Sequence, residues 1–407
     1  MVLRLLEKGV HVHLFSDHVP PDDELELKKY AKERGLLVMG PAAGTAIVAG
    51  KAIGFANVVK RGKVGIVAAA GTGLQEVSAL LSEAGIGISQ ALGTGGGDVK
   101  SNIGGLMMLQ SIDALEKDPE TEEILVVSKP PDDNVLNSII EHLVGSTRKR
   151  YVTCFIGAID YDLSKIRGRV RRARTLHAAT FEMIRTLKPN ASRTFGISKA
   201  ELQALANRMA KGLNEKQMYI RGLYTGGTLA YETLFILESF VGGVYSNAPI
   251  DSKFKLADSS ISSKDSIIDL GEEEFTVGRA HPMIDPTIRK IRLIEEAKDP
   301  QVAVIAMDFV LGYGSNADPA GAMLQAITEA RQMAGREGRI LPIFAHVCGT
   351  KEDPQILSQQ NRKLREAGVE LFQTNALMAI AAALTSRRGT ISDGVLDGVW
   401  ERMLTSF

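Results

Sequence analysis

Residues 63–76 read KVGIVAAAGTGLQE, and this stretch decides the fold of the first half of the chain. Positions 64–68 are continuously apolar, as expected for a strand that is buried on both faces of a sheet. The glycines that follow turn the chain into an apolar helix over 74–83. Further apolar strands near 86–92, 124–127 and 151–156 alternate with helical patterns. This alternation predicts an α/β fold built on a doubly wound parallel sheet.

The pattern recurs in the second half of the chain. Residues 219–232 read YIRGLYTGGTLAYE, so an apolar strand again runs into a Gly-Thr turn and a helix with a glutamate in its second turn. Lys-Asp-Pro stands before a predicted strand at 117–119 and again at 298–300. A repeat on this scale predicts two domains of one fold, related by a pseudo-twofold axis. The second copy carries extra residues at 241–264 and 272–286.

The repeat sets the expected domain boundaries. We predict flavodoxin-like domains at 61–190 and 191–407, with a polar linker at 191–196. The first 60 residues predict a strand, a helix and a strand, which are too few to bury a core. Residues 1–9 look like the end of a helix that a glycine terminates. We therefore expect 1–60 to be a partial Rossmann-like segment of a CoA-binding type, and the chain to begin inside a domain.

The composition excludes several classes of function. The chain has 407 residues and 43.9 kDa, and its 48 Lys and Arg balance its 48 Asp and Glu. A neutral chain has no global field to hold nucleic acid or an anionic membrane, so neither is expected as a partner. Two cysteines, Cys154 and Cys348, are too few for a disulfide framework and favour the reducing cytoplasm. No apolar run approaches the length of a membrane-spanning helix.

Glycine-rich turns at the predicted carboxyl ends of strands are the first candidate sites. Ligands of doubly wound sheets bind there, and the free N–H groups of a helix N-terminus attract anions. If the two copies face each other, two such helix ends can converge on one anion. The alternative is that these glycines only permit tight turns. None of the turns is a Walker A loop or a dinucleotide fingerprint. The candidate anion-binding residues are Gly71, Thr72, Gly73, Gly95, Gly96, Gly97, Gly226, Gly227, Thr228, Gly312 and Gly314.

The insertion GRAHPMIDP at 278–286 is the second candidate site. It holds a cation, an imidazole and a carboxylate between prolines that restrict the loop. Arg279, His281 and Asp285 are therefore candidate catalytic or substrate-gripping residues. The alternative is that Asp285 caps the next helix and His281 is a plain loop residue. His346, which we place after a strand at 341–344, is too sparsely accompanied for a metal site, and no metal is predicted.

Several runs carry a family resemblance. GTGLQE at 71–76 and the glycine-rich segment near 95, with Lys-Asp-Pro at 117–119, resemble the α subunit of succinyl-CoA synthetase. Residues 222–383 resemble the carboxyl-terminal domain of that enzyme's β subunit. VVSKPP at 126–131, GLYTGGTL at 222–229 and HPMIDPT at 281–287 resemble the FdrA family specifically. The resemblance implies two succinyl-CoA synthetase-type domains.

The chain departs from the synthetase pattern where that enzyme carries its phosphohistidine. The corresponding stretch, 157–163, reads GAIDYDL and has no histidine, and the ATP-grasp domain is absent. The FdrA resemblance implies a subunit of a carbamoyltransferase that interconverts oxalurate plus phosphate with oxamate plus carbamoyl phosphate, with Arg279 gripping a carboxylate and His281 moving a proton. An NDP-forming acyl-CoA synthetase-like ligase subunit and a non-catalytic anion-binding scaffold remain alternatives. No cofactor is certain; phosphate or carbamoyl phosphate is the expected ligand, CoA is possible, and a homo-oligomer with partner subunits is expected.

Overall fold

The computed structural model describes residues 1–146, 148–158, 161–163, 166, 168–189 and 197–404. These residues fall into two compact units, unit 1 before residue 190 and unit 2 after residue 196. The predicted linker at 191–196 lies outside the described residues, as do Ile159 and Asp160 of the segment that replaces the phosphohistidine.

Unit 1 begins with a small parallel strand pair flanked by helices, and a larger sheet follows it along the chain. Its described elements are α1 (Val2–Glu7), β1 (Val12–His13), α2 (Pro21–Glu33), β2 (Val38–Met39), β3 (Thr45–Val48), β4 (Lys51–Gly54), β5 (Arg61–Ala68), α3 (Gly71–Glu83), β6 (Ile88–Gly93), α4 (Leu106–Lys117), β7 (Glu123–Ser128), α5 (Asp133–Ser146), β8 (Arg150–Phe155), β9 (Val170–Ala173) and α6 (Leu176–Leu187).

The larger sheet of unit 1, called sheet 1, has the strand order β4-β3-β6-β5-β7-β8-β9 over the described residues. The strands from β6 to β9 are parallel, and β3 and β4 add an antiparallel hairpin on the β6 side. Numbered by their own sequence, the parallel strands run 2-1-3-4-5, which is the flavodoxin-like order. β3 and β4 precede residue 60 and nevertheless extend sheet 1. The predicted domain boundary at residue 60 stays a prediction.

Unit 2 repeats this plan. Its described elements are α7 (Lys199–Ala210), β10 (Tyr219–Tyr224), α8 (Gly227–Val241), β11 (Tyr245–Ser246), β12 (Ser266–Asp269), α9 (Glu273–Thr276), α10 (Thr287–Lys298), β13 (Val302–Val310), α11 (Pro319–Arg336), β14 (Ile343–Cys348), α12 (Leu357–Glu366), β15 (Glu370–Phe372), α13 (Asn375–Arg387) and α14 (Asp393–Leu404).

Sheet 2, the sheet of unit 2, has the order β11-β12-β10-β13-β14-β15 over the described residues, and all its pairs are parallel. From β12 onward the order is again 2-1-3-4-5, so the predicted doubly wound α/β fold is confirmed. The switch point, where successive crossovers change face, lies between β5 and β7 in unit 1 and between β10 and β13 in unit 2. The glycine turns before α3 and α8 stand at these two points.

Local sequence explains where several helices begin. Ser198 and Glu201 form a capping box at the start of α7, with Glu201 N 3.3 Å from Ser198 Oγ and Ser198 N 2.8 Å from Glu201 Oε2. Equivalent threonines start the last helix of each repeat: Thr175 accepts a hydrogen bond from an amide in the first turn of α6, and Thr374 does the same for α13. The repeat is therefore preserved in its caps as well as in its strands.

Each sheet buries its own apolar core. In unit 1, alternate residues of β5, β6 and β7 pack against α4 and α5; in unit 2, residues of β10, β12 and β13 pack against α10 and α11. Both cores consist of nearly continuous aliphatic strands, as parallel sheets covered on both faces require. No helix in the described part of the chain is long and apolar enough to span a membrane.

Candidate functional site

The turn before α3 is built to present backbone donors. Ala70 is the N-cap and makes no side-chain cap hydrogen bond, and the first turn holds no acidic residue. A Cβ at Gly71 would come no nearer than 3.6 Å to Thr45 Oγ1, so the turn is not crowded. Uncapped N–H groups at a helix N-terminus favour an anion. These features agree with the predicted role of Gly71, Thr72 and Gly73, which stays a prediction.

Two buried hydroxyls flank this turn. Thr94 follows β6 and Ser128 ends β7, the two strands on either side of β5. Both side chains are 0% exposed, and neither hydroxyl oxygen has a hydrogen-bond partner among the described residues. Buried hydroxyls are normally satisfied by protein, water or ligand. The pair therefore marks the edge of sheet 1 beside β5 as a place where further polar partners are favourable.

The turn holding Gly95, Gly96 and Gly97 has a different environment. Gly95 has φ +82°, and a Cβ there would collide with the Pro41 carbonyl, while a Cβ at Gly97 would lie 2.6 Å from Glu24 Oε2. These two glycines therefore permit close packing, which was the alternative explanation for them. A carboxylate beside Gly97 makes this turn a poorer host for an anion than the α3 turn. Gly96 is open, with no atom within 4 Å of its Cβ position.

A buried lysine holds the same turn to α2. Lys28 is 0% exposed, and its Nζ lies 2.6 Å from Glu24 Oε1, 2.9 Å from Asp98 Oδ1 and 3.0 Å from the Thr94 carbonyl oxygen. Asp98 also accepts hydrogen bonds from the first two amides past the start of α4. The cluster carries two carboxylates and one ammonium, and it fixes residues 94–98 from inside.

The turn before α8 already holds an internal anion. The Asp308 carboxylate, at the carboxyl end of β13, accepts hydrogen bonds from Thr225 N at 2.8 Å and from Gly226 N at 2.7 Å. Arg289 of α10 donates to Asp308 Oδ1 at 3.1 Å and to the Leu223 carbonyl at 3.1 Å. Asp308 is 0% exposed and Arg289 3%. The amide of Gly226, a predicted anion donor, is thus occupied by the protein itself; Gly227 and Thr228 follow it in the first turn of α8.

The turn holding Gly312 and Gly314 is held by a glutamine. Gln355 Oε1 accepts from Gly312 N at 3.0 Å, and Gln355 Nε2 donates to the carbonyl oxygens of Gly312 at 2.8 Å and Asn316 at 3.1 Å. Both glycines have positive φ, +104° and +79°. The Gly312 amide therefore already donates to Gln355 within unit 2. Both positions favour glycine because their φ angles are positive. Their role toward an anion stays a prediction.

His281 lies at the carboxyl edge of sheet 2. Its Nε2 and Asp269 Oδ1 lie 2.7 and 3.2 Å from the point that a Cβ of Gly271 would occupy, and the Thr225 carbonyl oxygen lies 2.9 Å from it. Its Nδ1 is 3.2 Å from Met283 N. Because a backbone N–H can only donate, Nδ1 accepts and the proton of the neutral imidazole is on Nε2. In the neutral ring, Nε2–H is thus the hydrogen-bond donor of His281.

The other two candidates of the insertion are exposed. Arg279 extends from the end of the short segment after α9 into solvent. The Asp285 carboxylate accepts from Thr287 N at 3.0 Å and Thr287 Oγ1 at 2.6 Å, and these hydrogen bonds hold its pKa below the ordinary value. Asp285 therefore binds the first residue of α10, although the N-cap of that helix is Pro286 and not Asp285 as the alternative explanation had it. Its catalytic role, like those of Arg279 and His281, stays a prediction.

A row of buried polar residues in sheet 2 was not predicted from the sequence. Strand pairing places four residues side by side at the carboxyl ends of neighbouring strands, with Tyr224 one step beyond the Leu223–Met307 pair of β10 and β13. In the order β12, β10, β13 and β14 they are Asp269, Tyr224, Asp308 and His346. All four are at most 3% exposed. Directly opposed residues of neighbouring strands share a face of the sheet. The equivalent row of sheet 1 is Gly93, Ala68, Val127 and Cys154.

The difference between equivalent positions of the two repeats is the sequence feature that indicates these residues. Where the first repeat has small or apolar residues, the second has two carboxylates, a tyrosine and a histidine. Our placement of His346 after a strand at 341–344 was wrong: β14 runs Ile343–Cys348, because its apolar pattern continues through the histidine. His346 Nδ1 lies 3.1 Å from the Phe372 carbonyl oxygen. Among the described residues no group of three or more His, Cys, Asp or Glu is placed to hold a metal ion.

Burial shifts the pKa values of two groups at this edge of sheet 2, Tyr224 and Arg289. Burial raises the pKa of Tyr224 far above its ordinary value, and its hydroxyl lies 2.7 Å from Thr233 Oγ1. Burial lowers the pKa of Arg289, while Asp308 opposes that shift. Tyr224 is therefore a neutral hydroxyl at any physiological pH, and the Arg289–Asp308 pair is the charged element at the switch point of unit 2.

Comparison with known proteins defines the class. A family model described as "CoA binding domain" matches residues 59–152, and one described as "CoA-ligase" matches residues 223–385. The malate–CoA ligase subunit alpha of Methylorubrum extorquens is 34% identical over 121 residues, which cover 28% of this chain and 40% of that protein. The succinate–CoA ligase subunit alpha of Methanothermobacter thermautotrophicus is 31% identical over 121 residues, covering 29% and 40%. The chain carries CoA-binding and CoA-ligase domains homologous to the succinyl-CoA synthetase α subunit.

A longer match gives the family. The uncharacterized protein YahF of Escherichia coli is 44% identical over 377 residues, which cover 93% of this chain and 72% of that protein. The chain belongs to the family of YahF. It spans only 40% of the length of the two ligase α subunits named above.

Solved structures of related fold are more distant. The apo dinucleotide-forming acetyl-coenzyme A synthetase 1 of Ca. Korarchaeum cryptofilum is 15% identical, with a TM-score of 0.32, covering 98% of this chain and 81% of that chain. The ATP citrate lyase of Methanothrix soehngenii is 13% identical, with a TM-score of 0.36, covering 98% and 80%.

Proposed function

We propose that this chain is a subunit of a group-transfer enzyme of the NDP-forming acyl-CoA synthetase class, and that it binds a phosphate-type or carboxylate anion at the α3 turn. The observation that carries the proposal is the acid-free first turn of α3, whose N-cap Ala70 makes no side-chain cap hydrogen bond, between two fully buried hydroxyls that lack partners in the described structure. Helix amides and hydroxyls together form a donor set suited to phosphate oxygens. The CoA-ligase relatives are named for small carboxylates, malate and succinate, which supports the substrate class.

The finer proposal is carbamoyl transfer in the manner of the FdrA family. One observation favours it over a ligase: the sequence has no histidine between His142 and His177. Without a histidine in the segment 157–163, the phosphoryl group cannot be stored covalently where the synthetase stores it. Direct attack of phosphate on a carbamoyl carbon needs no such store. In that reaction the C–N bond of oxalurate breaks and the leaving nitrogen takes a proton, leaving oxamate and carbamoyl phosphate.

The insertion of unit 2 contains groups of the kinds that this chemistry needs. His281 in its imidazolium form can protonate a leaving nitrogen and is then left as the neutral ring. The exposed guanidinium of Arg279 can pair with a substrate carboxylate through two parallel hydrogen bonds. Asp285 supports the start of α10 beside them.

The test is an assay of carbamoyl phosphate formation from oxalurate and phosphate, with the purified chain mixed with its partner subunits. His281→Ala is expected to lower kcat by a factor of about 100 or more, as for loss of a general acid. Arg279→Ala is expected to raise the KM for oxalurate. Glu274→Ala, exposed in the same insertion, is the matched control and should change neither. Wild-type rates in both variants would reject the roles, and an inactive full assembly would reject carbamoyl transfer.

Ligand-dependent stability separates the alternatives. Phosphate, carbamoyl phosphate, CoA and ATP are titrated against thermal unfolding, where a ligand at 100 times its Kd adds about 2.7 kcal/mol. Stabilisation by phosphate or carbamoyl phosphate supports the proposal. Stabilisation by CoA supports the ligase subunit, and stabilisation by phosphate without turnover in any assembly supports the scaffold.

A further inference from the structure

The two turns of the repeat treat their backbone donors differently. In unit 1, Ala69 N donates to the Val127 carbonyl oxygen at 3.0 Å, an ordinary strand-to-strand bond. In unit 2, the equivalent amide of Thr225 donates to the side chain of Asp308, the residue at the Val127 position. In unit 1 the amide thus donates to a backbone carbonyl, whereas in unit 2 the equivalent amide donates to a side-chain carboxylate.

Asp308 is fully engaged at this place. Oδ1 accepts from Thr225 N at 2.8 Å and Oδ2 accepts from Gly226 N at 2.7 Å, and the Thr225 hydroxyl lies 3.2 and 3.1 Å from the two oxygens. Arg289 adds a charged donor at 3.1 Å. A carboxylate with this many donors is fixed in position. It occupies the N–H groups that an incoming phosphate would need first.

Further carboxylates surround the turn. Asp269 is on the neighbouring strand, 3% exposed, and Glu232 in the second turn of α8 is 1% exposed. Unit 1 has a glutamate equivalent to Glu232, namely Glu76, but it has Gly93 at the Asp269 position. Two of the three carboxylates of unit 2 therefore have no counterpart in unit 1. The added positive charge, Arg289, is already bound to Asp308.

We propose that Asp308 is a specificity-determining residue that excludes phosphate-type anions from the α8 turn, so that the two turns of the repeat are not equivalent and only the α3 turn accepts such an anion. The inference rests on the proposed function for the α3 turn. It narrows that function: a group that binds at Gly226 to Thr228 is expected to be uncharged, because the fixed Asp308 carboxylate repels an anion there.

The test on the wild-type chain is a phosphate titration followed by the backbone amide NMR signals of residues 71–73 and 226–228. Phosphate is expected to shift the signals of 71–73 and leave those of 226–228 unchanged. Equal affinities at both turns would overturn the proposal. No shift at 71–73 would reject the proposed function of the α3 turn without touching the role of Asp308, which the variants then decide.

The variants remove the carboxylate from the turn of unit 2 and introduce one at the equivalent position of unit 1. Asp308→Asn keeps the size of the side chain but removes its charge. It should create phosphate binding at 226–228 that is at least about tenfold tighter than in wild type, because the repulsion by an adjacent charge is stronger than the attraction by a helix N-terminus. Val127→Asp should abolish phosphate binding at 71–73, and Val127→Asn, of the same size without charge, should retain it. A folded Asp308→Asn chain that still binds no phosphate at 226–228 overturns the proposal. If that variant does not fold, equal phosphate binding by Val127→Asp and Val127→Asn overturns it.

Discussion

The buried lysine of unit 1 gives a prediction with a definite size. Lys28 is 0% exposed and contacts two carboxylates, Glu24 and Asp98, which are 7% and 0% exposed. Lys28→Met keeps the aliphatic stem but leaves both carboxylates without their cation. Removal of one partner of a buried ionic cluster costs about 3–5 kcal/mol, because the remaining charges are desolvated and uncompensated.

This loss is large against the stability of the domain. A domain is stable by about 5–15 kcal/mol, and a loss of this size lowers the Tm of a unit near 190 residues by about 6–20 °C. The assay is urea unfolding, with hydrogen exchange measured on peptides of residues 94–117 so that the effect is located in unit 1. The control is Lys298→Met, which breaks the exposed pair with Glu295, where both side chains are more than half exposed; its expected cost is below about 1 kcal/mol.

A second change tests the electrostatic explanation. Glu24→Gln in the Lys28→Met background removes one of the two stranded carboxylates, and it should recover part of the lost free energy of unfolding. If Lys28→Met costs no more than Lys298→Met, or if Glu24→Gln makes the double variant less stable still, the reasoning about the cluster is refuted.

Three further outcomes are expected. Burial lowers the pKa of His177 to about 3; below its ordinary value near 6.5 the unfolded chain binds a proton that the folded unit excludes, so stability falls as the pH drops from 6.5 toward 3, by at most about 1.4 kcal/mol per pH unit. His177→Leu should flatten that dependence in urea unfolding at pH 6.5, 5.5 and 4.5 (chosen to span about two units of this window), and parallel slopes would contradict it. Gln355→Leu should cost about 1–3 kcal/mol and speed hydrogen exchange at 312–316, because buried backbone groups lose their partner, whereas the exposed Gln359→Leu should do neither. Gly95→Ala should destabilise unit 1 by more than about 1 kcal/mol in the same assay, since φ is positive and the space is filled; Gly96→Ala, in open space, should be nearly neutral, and equal effects would show that close packing is not what the first glycine serves.

The strand framework was predictable from the sequence because it depends on apolar periodicity. The repeat, the doubly wound order and the capping box of Ser198 and Glu201 all follow from local patterns that act over a few residues. Strand ends were less certain where a polar residue continues a buried strand. His346 is the example, since its ring is accommodated by a carbonyl of the neighbouring strand that no local pattern indicates.

The polar interior was not predictable in the same way. Lys28 and Glu24 are four residues apart on a helix rich in charge, where a solvent-exposed pair is the ordinary expectation; their burial depends on Asp98, 70 residues away. Asp308 looks like a strand-end residue until the pairing of β10 with β13 brings it to the Thr225 amide. Contacts across the sheet decide these sites, and a single sequence does not state which strands are neighbours.

The outermost strands of both sheets are short. Over the described residues, sheet 1 ends in β4 (Lys51–Gly54) and β9 (Val170–Ala173), and sheet 2 ends in β11 (Tyr245–Ser246) and β15 (Glu370–Phe372). A border of two to four residues offers too few unpaired N–H and C=O groups to recruit a strand from another protein. A partner subunit of the kind proposed above is therefore expected to bind through helix surfaces and loops, and stacking of these sheets into larger β-assemblies is disfavoured.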